Sequence, residues 1–194
     1  MKTVQSSICH RHIESLFLYH AAPILHNVKS AVLITVRLEC LALWKSREKA
    51  MCRATGLCIT ELIQKNHSAL FLIYDKNELE NILRNKEAVD ILLRHGYRLE
   101  DEIEGCLGHL RLRFKEVSFP HEIGLFLGYP SGDVKAFIEN EGKNCVCCRY
   151  WKAYINVEKS QRIWRQIDEA QKHAIEILHN LPPIHIAAKM LRTV

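Results

Sequence analysis

Residues 58–74, CITELIQKNHSALFLIY, decide the fold class. Two strand-like runs, Cys58 to Ile63 and Ala69 to Tyr74, flank the five polar residues Gln64-Lys65-Asn66-His67-Ser68. β-branched and aromatic runs joined by a short polar stretch predict a hairpin. Upstream, Ala31 to Val36 is apolar and β-branched and reads as a further, buried strand. It is framed by helical spacing on both sides. Leu16, Phe17, Ala21, Ile24, Leu25 and Val28 mark one helix, with Pro23 as a kink or break, and Leu38 to Ala54 a second, ended by Gly56.

Downstream, Asp75 followed by Glu78 has capping-box spacing, so a helix is expected immediately after the hairpin. A second short helix carries Val89, Leu92 and Leu93 as its buried positions and stops at Gly96. Glu100 to Val117 is a third, with Ile103, Leu107, Leu110 and Phe114 on one face. The nearly continuous apolar run Ile123 to Tyr129 suits a strand buried on both faces, central in the sheet. Pro130-Ser131-Gly132-Asp133 then turns into a helix that buries Val134, Phe137 and Ile138 and stops at Gly142. Trp151 to Val157 reads as a last strand, and Glu158 to Asn180 as a long helix ended by Pro182-Pro183. The alternation predicts an α/β or α+β fold: one domain over 1–194, with a mixed sheet of about four to five strands flanked by helices. Residues 1–12 and 182–194 are expected as peripheral tails.

Composition excludes the extremes. The chain has 194 residues, 48% of them hydrophobic and 25% charged, with 8 Gly and 5 Pro, which is ordinary globular material and neither collagenous nor disordered. The net charge of +5 resides entirely in residues 143–194, with nine Lys and Arg against four Asp and Glu. Lys159, Arg162, Arg165 and Lys172 fall where a solvated helix face puts them, so a nucleic-acid partner is not expected. No secretory signal is visible, and the longest apolar stretch, Ala31 to Trp44, is too short to span a bilayer and is broken by Arg37 and Glu39. These features predict a cytoplasmic protein whose eight cysteines are reduced thiols.

One long stretch carries a resemblance. Phe119-Pro-His-Glu-Ile-Gly-Leu-Phe-Leu-Gly-Tyr-Pro130, Asp133-Val134, Phe137-Ile138, Gly142-Lys143-Asn144-Cys145 and Tyr150-Trp151-Lys152-Ala153-Tyr154 resemble an uncharacterised bacterial domain-of-unknown-function family common in anaerobic Firmicutes. Its signature looks like FPHEIGxFLGYPxxDVxGFI, then a cysteine-containing loop and GYWKVY. His20 to Lys29 is similar to the same family's HCAPTLAGLK segment. The resemblance spans roughly residues 20 to 165 and implies no established activity. The chain departs from the pattern at Ala21, where Cys is expected, and at Asn27, Ala136 and Arg149, where Gly is expected.

The chemistry-bearing candidates lie in or beside the same stretch. Cys145, Cys147 and Cys148 could bind zinc or iron as thiolates, with His121 (or Cys106) as a further ligand, or form a thiol redox site. Their crowded spacing is poor for a zinc site, and a structural loop is the plainer reading. His121 and Glu122 offer a titratable base and a carboxylate, although neighbours on a strand point to opposite faces; a histidine bonded to backbone is the plainer reading. Gly124, Gly128 and Gly132 span a turn whose backbone N–H groups could face an anion, but they match no phosphate-binding fingerprint, and turn geometry accounts for them. Tyr150, Trp151 and Tyr154 could stack on a ligand or feed the core. Cys9-His10-Arg11-His12 resembles a metal-binding fragment without partners. No catalytic constellation emerges. The expectation is a non-enzymatic module that binds a small molecule or a protein through the loops at 119–133 and 143–152, with His121, Glu122, Gly128, Tyr129, Asp133, Trp151 and Lys152 as contacts. The alternative is a thiol-based metal or redox protein.

Overall fold

The computed structural model describes residues 2–98 and 102–193, with side chains from residue 12 onward. Cys9, His10 and Arg11 of the amino-terminal Cys/His group therefore lie outside the described side chains. By its internal packing the chain is described as two compact units, residues 1–75 with 166–194 and residues 76–165.

The first unit is built on the hairpin. Strands β1 (Ala31–Arg37), β2 (Cys58–Gln64) and β3 (Ser68–Tyr74) form an antiparallel sheet in the order β1-β3-β2. Lys65 N donates to Ser68 O at 2.8 Å and closes the turn, while Glu61 and Ile63 flank a bulge that turns Leu62 inward. β3 is central, which explains its uninterrupted apolar run: Phe71, Leu72, Ile73 and Tyr74 are all buried. Register places Val32 opposite Ile73, Ile34 opposite Phe71 and Val36 opposite Ala69 on one face. Helices α1 (Lys2–Leu25) and α2 (Leu38–Thr55) supply Phe17, Ala21, Trp44 and Met51 to the same core. Burying side chains the size of Phe17 or Met51 contributes about 1.5–3 kcal/mol each.

Pro23 does not interrupt α1. It sits in the last turn, and the left-handed Asn27 (φ 56°) then ends the helix. Asn is the residue that best tolerates this geometry after Gly, which accounts for its standing where the resemblance leads one to expect Gly. Asn27→Gly is expected to raise stability by about 0.5–1 kcal/mol, read from the urea midpoint. Ala21, the other departure in this segment, is fully buried in the core. A Cys side chain there would be a packing group and not an exposed ligand.

The carboxy-terminal stretch, expected at the periphery, is part of this core. Pro182-Pro183 ends α8 (Val157–Leu178) and opens α9 (Ile184–Leu191), whose Ile184, Ala187, Ala188 and Leu191 are buried. Arg192 reaches back to donate to the Thr55 carbonyl at the end of α2. From α8, Ala170, Ala174 and Ile177 complete the cluster.

Next to α1, the rings of His26 and His173 meet nitrogen to nitrogen at 3.2 Å. One ring must donate and the other accept, so the contact accommodates at most one added proton. Burial first, then the His173 charge, lower the His26 pKa, and burial lowers that of His20. A base whose pKa is lower in the folded state leaves the unfolded chain holding more protons below its ordinary value near 6.5. Stability is therefore expected to fall as pH drops below about 6.5. His173→Gln should flatten that decline in urea midpoints measured across pH 5 to 8; an unchanged slope would discount the pair.

The second unit is helical: α3 (Lys76–Leu83), α4 (Lys86–Arg94), α5 (Ile103–Glu116), α6 (Ile123–Phe126), α7 (Ser131–Glu139) and the start of α8. It also holds a two-residue ribbon of β4 (Cys147–Cys148) and β5 (Lys152–Ala153). The expected central strand at 123–129 is the single helical turn α6 with its exit turn, buried throughout from Ile123 to Leu127. The expected strand at 151–157 is reduced to β5, because Val157 already belongs to α8. The helix-and-strand class stands, but the strands of the described residues form two separate antiparallel sheets, of three and two strands, where one mixed sheet was expected.

No helix of the described residues is long and apolar enough to cross a membrane.

Candidate functional site

Asp133 organises the segment that the sequence singles out. It stands in the first turn of α7, where the helix dipole favours a carboxylate, and is only 3% exposed. Its Oδ1 accepts from the backbone N–H groups of Tyr154 (2.9 Å) and Ile155 (3.1 Å). Its Oδ2 accepts from Trp151 Nε1 (2.9 Å) and Ser160 Oγ (3.2 Å). Four donors satisfy the carboxylate and lock the start of α7 to the ribbon and to the first turn of α8. Trp151 stacks on Tyr129 at 4.8 Å and meets Trp164 edge-on at 5.3 Å. The Tyr129 hydroxyl donates to Tyr150 O at 3.2 Å, and burial pushes its pKa up to about 12.

Three predicted contacts, Tyr129, Asp133 and Trp151, thus meet, but mainly to satisfy one another. The glycines fit the same reading. A Cβ on Gly124 would stand 2.8 Å from Val134 Cγ2 and one on Gly132 2.7 Å from Ile155 Cδ1, while Gly128 takes a φ of +71°. They are packing and turn residues.

Lys152 and His121 belong to a neighbouring aromatic group. Lys152 Nζ donates to Gly142 O at 2.6 Å and lies 5.8 Å over the Phe137 ring. The exposed His121 packs against the same ring at 5.0 Å. Glu122 points the other way, fully buried, where its Oε1 accepts from Arg113 Nε at 2.8 Å. The two share no site. They diverge as neighbours on a strand would, but from a turn.

The cysteines do not gather at His121 either. Cys147 and Cys148 are successive residues of β4, so their thiols leave opposite faces, and Cys148 is exposed. His121 is engaged with Phe137, and Cys106 is buried on α5. Among the described residues no group of three or more His, Cys, Asp or Glu side chains is arranged to hold a metal ion. The described residues thus give no support to the expected zinc or iron site at Cys145, Cys147, Cys148 and His121.

The family described as "Protein of unknown function (DUF3793)" matches residues 17–186. The chain belongs to that family. The match takes in both the His20–Lys29 segment and the Asp133 brace, so the expectation raised by residues 119–154 holds at the level of the family. No curated protein and no solved structure matches the chain. The family's description carries no activity, and the chemistry has to be read from the structure.

Of the departures in this half of the chain, Ala136 lies inside α7, where Ala is a better helix former than Gly by about 1 kcal/mol. Arg149, in the ribbon turn, has no positive φ that would require Gly, and its guanidinium lies 5.5 Å from the Tyr150 ring centroid.

Open space lies elsewhere in the second unit, at a place sequence reasoning missed. A cleft of about 550 Å³ runs between α3, α4 and the start of α5. Its apolar wall includes Leu83, Val89, Leu92, Leu93 and Ile103, with the Cys106 thiol and the Tyr97 ring among its lining. Behind it, Tyr97 packs on His109 at 4.3 Å and on Phe126 at 5.8 Å, and burial holds its hydroxyl protonated, well above the ordinary tyrosine pKa. A signal was present in α4. Its packed positions are Ala88, Ile91 and Leu92, leaving Val89 and Leu93 as a second apolar stripe at i, i+4 spacing that faces the cleft. Leu93 is 45% exposed.

Proposed function

We propose that the protein is a non-enzymatic binding module whose ligand is a small molecule held in the cleft between α3, α4 and α5. The loops at 119–133 and 143–152 serve as its rigid support and as the surface for any protein partner. The cleft carries this reading. At about 550 Å³ it falls within the size range of small-molecule sites, and it combines an apolar wall with a charged rim. The predicted contact residues Tyr129, Asp133, Trp151 and Lys152 already spend their polar groups and rings on one another. They hold geometry more than they offer valences to a ligand.

The test uses N-phenylnaphthylamine, a neutral apolar fluorophore that brightens when it leaves water. Emission is expected to rise with wild-type protein and to return to the buffer value with Val89→Trp, which fills the cleft. Val146→Trp, on the exposed ribbon, should bind as wild type. No enhancement in wild type, or equal enhancement in Val89→Trp, would sink the proposal.

A further inference from the structure

We infer that the ligand of this cleft is an amphipathic anion: a single hydrocarbon chain or ring system carrying one carboxylate or phosphate head. The inference rests on the cleft being a binding site, and the charge on its rim supplies the rest. Three cations, Lys76, Arg84 and Arg98, share the rim with two carboxylates, Glu80 and Glu102. One of these carboxylates is paired within the protein, and the other, exposed and without a cap hydrogen bond, stands at a helix start. Glu80 has Arg84 one helical turn away at 3.9 Å, and Glu102 is the residue immediately before α5, where the unpaired N–H groups of the first turn favour negative charge. Lys76 and Arg98 make no ion pair among the described residues and are exposed at the opening. Among the described residues the rim therefore carries a net positive charge above an apolar wall, with Lys76 and Arg98 outside its ion pair.

The apolar part is also incomplete as it stands. Leu93 is 45% exposed at the lip and Val89 half-buried below it, so a hydrocarbon body laid against them would remove apolar surface from water. Its head would reach the solvent side, where Lys76 and Arg98 stand. A neutral molecule would leave that net charge unanswered, and a cation would be repelled by it. The volume suits one chain and not a two-chain phospholipid seated whole, so the commitment is to a free ligand.

The probes are decanoate, decanol and decylamine below their micelle concentrations, each displacing N-phenylnaphthylamine from wild-type protein. Decanoate is expected to displace at about tenfold lower concentration than decanol, the effect of roughly one net charge-assisted contact. Decylamine should be the weakest of the three. Lys76→Gln with Arg98→Gln should bring decanoate to the decanol value once each displacement is corrected for the variant's own fluorophore affinity, and circular dichroism checks that this surface variant is folded. Glu80→Gln should move decanoate the other way, by a few-fold.

If the fluorophore binds but the three probes displace it equally, or decylamine does best, the anion assignment fails and the cleft stands as a neutral site. If the double variant keeps the decanoate preference, the assignment to Lys76 and Arg98 fails. Flotation with phosphatidylglycerol vesicles would overturn the free-ligand commitment in favour of a membrane surface. Sedimentation showing a dimer that decanoate dissociates would give the cleft to a second copy of the chain. Absence of fluorophore binding overturns the binding module itself.

Discussion

Asp133→Ala is expected to lower stability by about 3–5 kcal/mol, because it leaves several buried donors without an acceptor at once. The indole N–H of Trp151 and the buried Ser160 hydroxyl lose their acceptor, and the backbone N–H groups of Tyr154 and Ile155 lose theirs. Each such group costs roughly 1–3 kcal/mol when it stays dry, and relaxation of the ribbon toward water reduces the sum. Asp133→Asn separates charge from shape. Its remaining oxygen can still serve the two backbone donors, but the amide NH2 then faces the Trp151 N–H, donor against donor. A loss of about 2 kcal/mol is expected.

Trp151→Phe removes that conflict while keeping an aromatic ring against Tyr129. The double variant Asp133→Asn with Trp151→Phe should therefore be less destabilised than the sum of the two single changes, by about 1 kcal/mol. Urea titrations followed by circular dichroism measure all four proteins. Additive losses would mean that Asp133 and Trp151 act independently and that the brace is not a unit.

How much of this could be read from the chain depends on whether local pattern or tertiary partner decides the outcome. The hairpin at 58–74 was legible because β-branched and aromatic residues alternate with a polar turn, and β3 is buried on both faces as its apolar run requires. The same rule failed at 123–129. A seven-residue apolar run does not by itself distinguish a buried strand from a buried helical turn. Here only Ile123 is β-branched, Gly124 has to admit Val134 and Tyr129 at close range, and Gly128 takes the left-handed conformation that ends α6.

The site divides along the same line. Asp133 and Trp151 stood out as residues, but their hydrogen bond joins positions 18 apart and turns an apparent pair of ligand contacts into a structural brace. The cysteine cluster suggested a metal because spacing was all that could be seen, and the β4 pleat sends the Cys147 and Cys148 thiols to opposite faces. The cleft was hidden because its walls come from three helices. Its trace in the sequence was one apolar stripe too many on α4, where Val89 and Leu93 read as core.

Glu122 shows what such a tertiary partner is worth. Its carboxylate is completely buried, Oε1 is held by Arg113 at 2.8 Å, the Tyr97 hydroxyl stands at the long distance of 3.5 Å, and Oε2 has no hydrogen-bond partner. Arg113 itself is anchored by this contact, which raises its pKa, and it also reaches the exposed Glu116 at 3.3 Å. Arg113→Ala removes the guanidinium and strands the carboxylate in an apolar setting, at an expected cost of about 3–5 kcal/mol. Arg113→Lys should recover only part of it, since an ammonium on a thinner stem does not reproduce the directed Nε–H donor. If the cost comes from an uncompensated charge and not from lost packing, removing the charge as well should reverse it. Arg113→Met combined with Glu122→Leu is then expected to return to within about 1 kcal/mol of wild type, because two apolar side chains of similar volume replace a pair whose desolvation offsets most of its attraction. Glu122→Leu alone should be intermediate, as the Arg113 head on its partly exposed side can turn to water and to Glu116. The order wild type, double variant, Glu122→Leu, Arg113→Ala in urea stability is the expected result. A double variant no better than Arg113→Ala would show that the pair shapes the core around Tyr97 and Phe126 by packing, and that the buried charge is a minor part of its cost.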